Sequence, residues 1–149
     1  MSSTPPVVVT VEGQASGYAQ TLQLGHHAFR ADEVQALGGT DTGPNPYELL
    51  LGALGACTSM TISMYARRKA WPLTAVRVRL THSKLEASEV PGAETKEGKL
   101  DRITRDIELI GSLDDEQKQR LLDIANKCPV HKTLHSEIVV HSQLVNDLS

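Results

Sequence analysis

The chain has 149 residues, of which 40% are apolar, 22% charged and only 3% aromatic, and its net charge is −3 with the histidines neutral. These values fit one soluble globular domain with an aliphatic core and exclude a fibrous or disordered chain. With no run of Lys and Arg interleaved with aromatics to track a phosphate backbone, nucleic acid is excluded as an expected partner.

Residues 1–6 lack the basic start and apolar stretch of a secretory signal, so the cytoplasm is the expected compartment. Val7, Val8, Val9 and Val11 form a β-branched run. Glu12, Gly13, Ser16 and Gly17 supply turn residues before a second extended run at 19–24, which together read as a hairpin. Residues 26–32 read as a third short strand, and the glycine-bearing stretch 38–44 as a loop. Asn45 then caps a helix whose first position takes Pro46, since the missing N–H would be unpaired there in any case. That helix is expected over 46–69, ending before Trp71 and Pro72 because the residue preceding proline leaves helical geometry.

Val76, Val78 and Leu80 alternate with Arg77, Arg79 and Thr81, the period of a strand with one wet face. A Glu-, Gly- and Pro-rich loop covers 87–99. Ile103, Ile107 and Leu109 mark another strand with the same alternation, broken only by Arg105. Ser112 and Asp115 resemble a capping box opening a helix over 113–127. Cys128 followed by Pro129 repeats the cap-then-proline pattern, so a short helical turn is expected over 130–135 with Cys128 at its start. A closing strand is expected over 137–145. Strands, a long helix, two strands, a helix and a strand make an α+β arrangement.

Residues 49–66 carry no charge and meet the length rule for a membrane span. Gly52, Gly55, Thr58, Ser59, Thr61 and Ser63 dilute the stretch, and Glu48 and Arg67 to Lys69 bound it, so a buried protein helix is expected and no membrane partner. Two cysteines in a reducing compartment do not serve as a structural staple; a bond between them would be transient, catalytic or redox-sensing. Singly, each cysteine also fits core packing as a small hydrophobe. Cys128, His131 and His135 have spacing suited to zinc, with Cys57 as a fourth ligand, and an apolar pocket without turnover is a third alternative.

Asn45-Pro46 opening an apolar helix that reaches Cys57 in its third turn, together with Gly43-Pro44 before it and Cys128-Pro129-Val130-His131 after a second helix, resembles the OsmC/Ohr family. These are the osmotically inducible protein C and organic hydroperoxide resistance proteins. The resemblance implies an α+β fold with antiparallel sheets wrapped around two long central helices of an intertwined homodimer, residues 1–149 forming a single such domain. It implies a cysteine-based peroxidase acting on organic hydroperoxides, with Cys57 as peroxidatic nucleophile and Cys128 as resolving thiol. No bound cofactor is implied, but an external dithiol is, of the lipoyl type carried on a protein. Cys57 lies too far along its helix to feel the positive dipole end, so a cation is needed. The resemblance puts that cation in the N-terminal strands, where Arg30 is the only arginine before Arg67, so Arg30 is either that cation or simply a solvated strand residue.

The resemblance also implies a glutamate directly after Asn-Pro, where this chain has Tyr47; Glu48 follows one residue later. One residue turns a helix by about 100°, so Glu48 is either a displaced site carboxylate or a charge complementing the helix start. Nine helical residues span about 14 Å, so Glu48 reaches a Cys57 only across a partner chain's helix. Gly52 and Gly55 would let two such helices approach, or else pack against their own sheet. His131 either tunes Cys128 or is an ordinary surface residue.

Overall fold

The β-branched start and its glycine turns build three short antiparallel strands in the computed structural model, which describes residues 4–148. The first three residues of the N-terminal stretch and Ser149 therefore lie outside the described residues. The strands are β1 (Val9–Gly13), β2 (Gln20–Leu24) and β3 (His27–Ala31), in the order β1-β2-β3. Val9 faces Leu24 across the first ladder, and Leu22 faces Phe29 across the second. They belong to the first of two compact units, which ends at Gly52; the second begins at Ala53.

Asp32 organises the loop after β3. Its buried carboxylate accepts hydrogen bonds from the Thr40 hydroxyl at 2.6 Å, the Thr42 hydroxyl at 2.7 Å, and the backbone N–H groups of Glu33 and Thr42 at 2.7 and 3.0 Å. Gly39 and Gly43 let the chain close around it, because a Cβ at either would collide with the Glu33 or Arg30 carbonyl. The Thr40 and Thr42 hydroxyls, followed by the backbone donors, hold the Asp32 carboxyl well below the usual carboxylate range. A lowered pKa stabilises the fold fully above the unfolded value of about 3.9, and that stabilisation is lost as pH falls below it. Asp32→Asn should therefore lower the denaturation midpoint at pH 7, and its gap from wild type should shrink as pH drops below about 4. A gap independent of pH over that range would show that the charge is not what holds the loop.

The long helix α1 (Pro46–Arg68) opens on a reciprocal cap. The Glu48 N–H donates to Asn45 Oδ1 at 2.8 Å, and the Asn45 N–H donates to Glu48 Oε1 at 3.0 Å. Its far end closes on Ala70 in the left-handed region, φ 54°, with the Trp71 N–H donating to the Ala66 carbonyl at 2.9 Å and the Ala70 N–H to that of Arg67 at 3.1 Å. That is the Schellman pattern, and it stops the helix one residue before the expected end. By length and composition alone α1 could cross a membrane, a test that the core helix of a soluble protein also passes.

In the second unit, β4 (Leu73–Glu86) and β5 (Lys99–Gly111) form a long antiparallel pair, both extending well beyond the stretches expected from alternation. A single 3-10 turn, Ala87–Glu89, lies in the loop that joins them. Leu54, Gly55, Thr58, Ile62 and Ala66 are the buried stripe of α1, spaced at three and four residues. Gly55 backs onto Leu80 of the same chain, whereas a Cβ at Gly52 would meet nothing. Of the two readings for these glycines, packing on the chain's own sheet holds for Gly55.

Helix α2 (Asp115–Ala125) starts two residues later than the sequence pattern indicates. Its box is Asp114 with Gln117, the Gln117 N–H donating to Asp114 Oδ1 at 2.7 Å and the Asp114 N–H to Gln117 Oε1 at 3.0 Å, so Ser112 and Asp115 are not the capping pair. Leu113 instead joins the core with Ile62, Ala66, Leu121 and Ala125. The short helix α3 (Pro129–Leu134) follows, as expected, with Cys128 as its cap. The expected closing strand is not formed: 137–145 has no ladder partner among the described residues, and Ile138, Val139, Val140 and Leu144 are exposed. Alternation marks which segments can pair, but a strand exists only where a neighbour supplies the other half of its hydrogen bonds.

Candidate functional site

Two local features deliver the two cysteines. The third turn of α1 presents Cys57, half-buried, directly before the fully buried Thr58. At the end of α2 the chain tightens, the Lys127 N–H donating to the Ile124 carbonyl at 2.9 Å and the Cys128 N–H to that of Ala125 at 3.4 Å. This delivers Cys128 to a site with no solvent exposure. Its Sγ accepts from the His131 N–H at 3.4 Å, the side-chain cap of α3.

The two thiols act on each other, and their acidities move in opposite directions. Burial would push Cys57 up, but hydrogen bonds from Cys128, the Val130 N–H and Thr61, together with the positive charge of Arg105, outweigh it and bring the thiol below its ordinary value. Cys128 moves the other way, pushed up by burial and then by the Cys57 thiolate beside it. Of the two, Cys57 is therefore the thiol that ionises first and Cys128 the one that keeps its proton. A thiolate is the nucleophilic form of cysteine, so the direction of the two shifts makes Cys57 the more reactive sulfur of the pair.

Arg105 on β5 reaches this pair from an inward-facing register position between Ile103 and Ile107, and it is half-buried. One terminal nitrogen donates to Thr58 Oγ1 at 2.9 Å and the Ala125 carbonyl at 3.3 Å. The other donates to Asn126 Oδ1 at 2.9 Å and lies 3.3 Å from His131 Nδ1. A guanidinium only donates, so His131 Nδ1 accepts and the neutral ring carries its proton on Nε2. Burial first, then the positive charges of His135 and Arg105, lowers the His131 pKa and favours that neutral form. His131 is thus tied to Arg105 rather than idle at the surface. Its ring stacks on His135 with centroids 4.4 Å apart, and among the described residues no three His, Cys, Asp or Glu side chains gather as a metal site. The zinc alternative for Cys128, His131 and His135 has no geometric support.

Arg30 is exposed on β3, opposite Thr21, and Glu48 is engaged in the cap of α1; both belong to the first unit. Sequence reasoning passed over Arg105, although a signal was present: one cation at an apolar-phase position of an otherwise alternating strand, where an unpaired charge needs a reason.

The family profile described as OsmC-like protein matches residues 39–143. A search among curated proteins returns no match. Several solved structures share the fold. An OsmC-like protein from Mycoplasma pneumoniae is 20% identical with a TM-score of 0.70, the match covering 89% of each chain. An organic hydroperoxide resistance protein OsmC from Legionella pneumophila is 17% identical with a TM-score of 0.64, covering 89% of this chain and 91% of that one. The organic hydroperoxide resistance protein OhrB of Bacillus subtilis is 22% identical with a TM-score of 0.58, covering 86% and 89%.

Proposed function

This chain belongs to the OsmC-like protein family, and from that premise we propose that it is a thiol peroxidase reducing organic hydroperoxides in defence against oxidative stress. The observation that carries this reading is a pair of free, mutually interacting thiols with opposed acidities, Cys57 half-buried and lowered, Cys128 fully buried and raised. The Cys57 thiolate attacks the terminal peroxide oxygen, the O–O bond breaks, and the alcohol leaves with a proton while Cys57 becomes a sulfenic acid. The Cys128 thiol then displaces water to form the Cys57–Cys128 disulfide. An external dithiol, of the lipoyl type on a partner protein, reopens it by exchange and leaves as a disulfide. Such a cycle belongs in a reducing compartment, the cytoplasm.

The working unit is a homodimer. Supporting this, Ala53, Ala56, Met60 and Met64 form an exposed small and apolar stripe on α1, with Met60 70% exposed, and the apolar-bearing segment 137–145 has no ladder partner among the described residues. A second copy would cover the stripe and offer that segment a sheet edge.

The test is turnover of an alkyl hydroperoxide with dihydrolipoamide, read beside free-thiol counts and light scattering. The expected result is loss of both thiols per equivalent of peroxide, recovery with the dithiol, and a dimer at micromolar concentration. Thiols that survive excess peroxide sink the chemical reading, and a well-folded micromolar monomer sinks the assembly.

A further inference from the structure

We infer that Arg105 is the positioning residue of this cysteine pair: its guanidinium ties the two cysteine-bearing segments together and supplies the positive charge that stabilises the Cys57 thiolate. The inference deepens the peroxidase reading and rests on it only for the catalytic consequence.

The geometry carries it. Arg105 bonds to Thr58, the residue after Cys57 on α1, and to Ala125, Asn126 and His131, which flank Cys128 on both sides. One rigid planar fork therefore spans both cysteine-bearing segments, which a flexible ammonium would not do as well. Its acceptors are also of one kind. A carbonyl, an amide oxygen, a hydroxyl and a neutral imidazole hold the guanidinium, and none of the ion pairs among the described residues involves Arg105. Neutral acceptors fix a cation without cancelling its charge, and half-burial lets that charge act over a lower dielectric than water.

Thr58 is prepared for this. Its hydroxyl proton is committed to the Leu54 carbonyl at 2.7 Å, which leaves the oxygen to accept from Arg105. Burial favours the neutral His131 ring, whose unprotonated nitrogen, Nδ1, can then accept from Arg105. Within the second unit, Cys128, Thr61 and the Val130 N–H also favour ionised Cys57, and none of them carries a charge of its own when Cys57 is ionised. Arg105 is thus the cation that the second unit turns toward the nucleophile.

The test is alkylation of Cys57 by iodoacetamide as a function of pH in the full reduced chain, followed by mass spectrometry of the Cys57 peptide, with hydroperoxide kinetics in parallel. Arg105→Gln should raise the alkylation midpoint by about one pH unit, a tenfold smaller thiolate fraction on the acid side. Arg105→Lys should retain much of the wild-type midpoint because it keeps the charge. Hydroperoxide reduction by Arg105→Gln should fall about tenfold near neutral pH and recover at alkaline pH, which a merely structural defect would not do. Should Arg105→Gln fail to fold, Asn126→Ala loosens the fork from the surface and should move the midpoint the same way by less. An unchanged midpoint in folded Arg105→Gln overturns the inference, as does an equal rise in the Gln and Lys variants, or a midpoint that moves with Arg30→Met instead. If the midpoints separate while no variant and no wild type consumes peroxide, the role of Arg105 stands and the peroxidase reading fails.

Discussion

Cys57→Ser is expected to reduce hydroperoxide consumption to the uncatalysed background. A serine hydroxyl does not form a sulfenic acid, and its proton is held far more tightly than that of a thiol, so no nucleophile remains on α1. Cys128 is a poor substitute because it has no solvent exposure and its thiol is pushed toward the protonated form. Loss of a nucleophile removes the step on which all later ones depend, and such losses are the largest seen in enzymes. Cys128→Ser should behave differently. It leaves the attacking thiolate in place, so one equivalent of peroxide is consumed, one oxygen atom is added at Cys57, and turnover stops because nothing condenses with the sulfenic acid. Intact-mass analysis after one equivalent of an alkyl hydroperoxide reads both outcomes. Near-normal turnover by Cys57→Ser would remove Cys57 as the nucleophile.

Leu121→Ala should destabilise the fold by about 3 kcal/mol, within the range for deleting most of a fully buried leucine side chain and leaving a cavity. Leu121 has no exposure and lies among Ile62, Ala66, Leu113 and Ala125, the cluster that seats α2 against α1. The consequence reaches the chemistry, because α2 runs directly into the turn that sets Cys128. A looser α2 should slow disulfide formation after the first oxidation while leaving the initial attack by Cys57 nearly unchanged. Urea denaturation gives the stability, and stopped-flow oxidation resolves the two steps. A change under about 1 kcal/mol would mean that the cluster relaxes around the missing atoms.

Local signals were the legible ones. Asn45 with Pro46, Cys128 with Pro129 and the alternation from Val76 to Leu80 located α1, the α3 cap and β4, because caps and periodicity depend on residues within a turn or two. The same locality explains the misses. Ser112 and Asp114 both suit a cap, and the structure uses Asp114 because that register sends Leu113, Leu121 and Ala125 into the core together. Glu48 read equally well as a site carboxylate or as part of the helix start, and the paired bonds with Asn45 are what the fold makes of it.

By itself, then, the sequence determined an α+β chain with a long apolar helix, two cysteines in marked helical settings and, through those motifs, the family to which it belongs. What only the tertiary structure decided is that Arg105 reaches the cysteine-bearing segments: it meets Thr58 across 47 positions of sequence and His131 across 26. No capping rule or hydrophobic period extends that far, because such patterns record the short-range fit of a residue to its own helix or strand. The site is made where β5, α1 and the end of α2 pack against one another, and packing is a property of the whole fold.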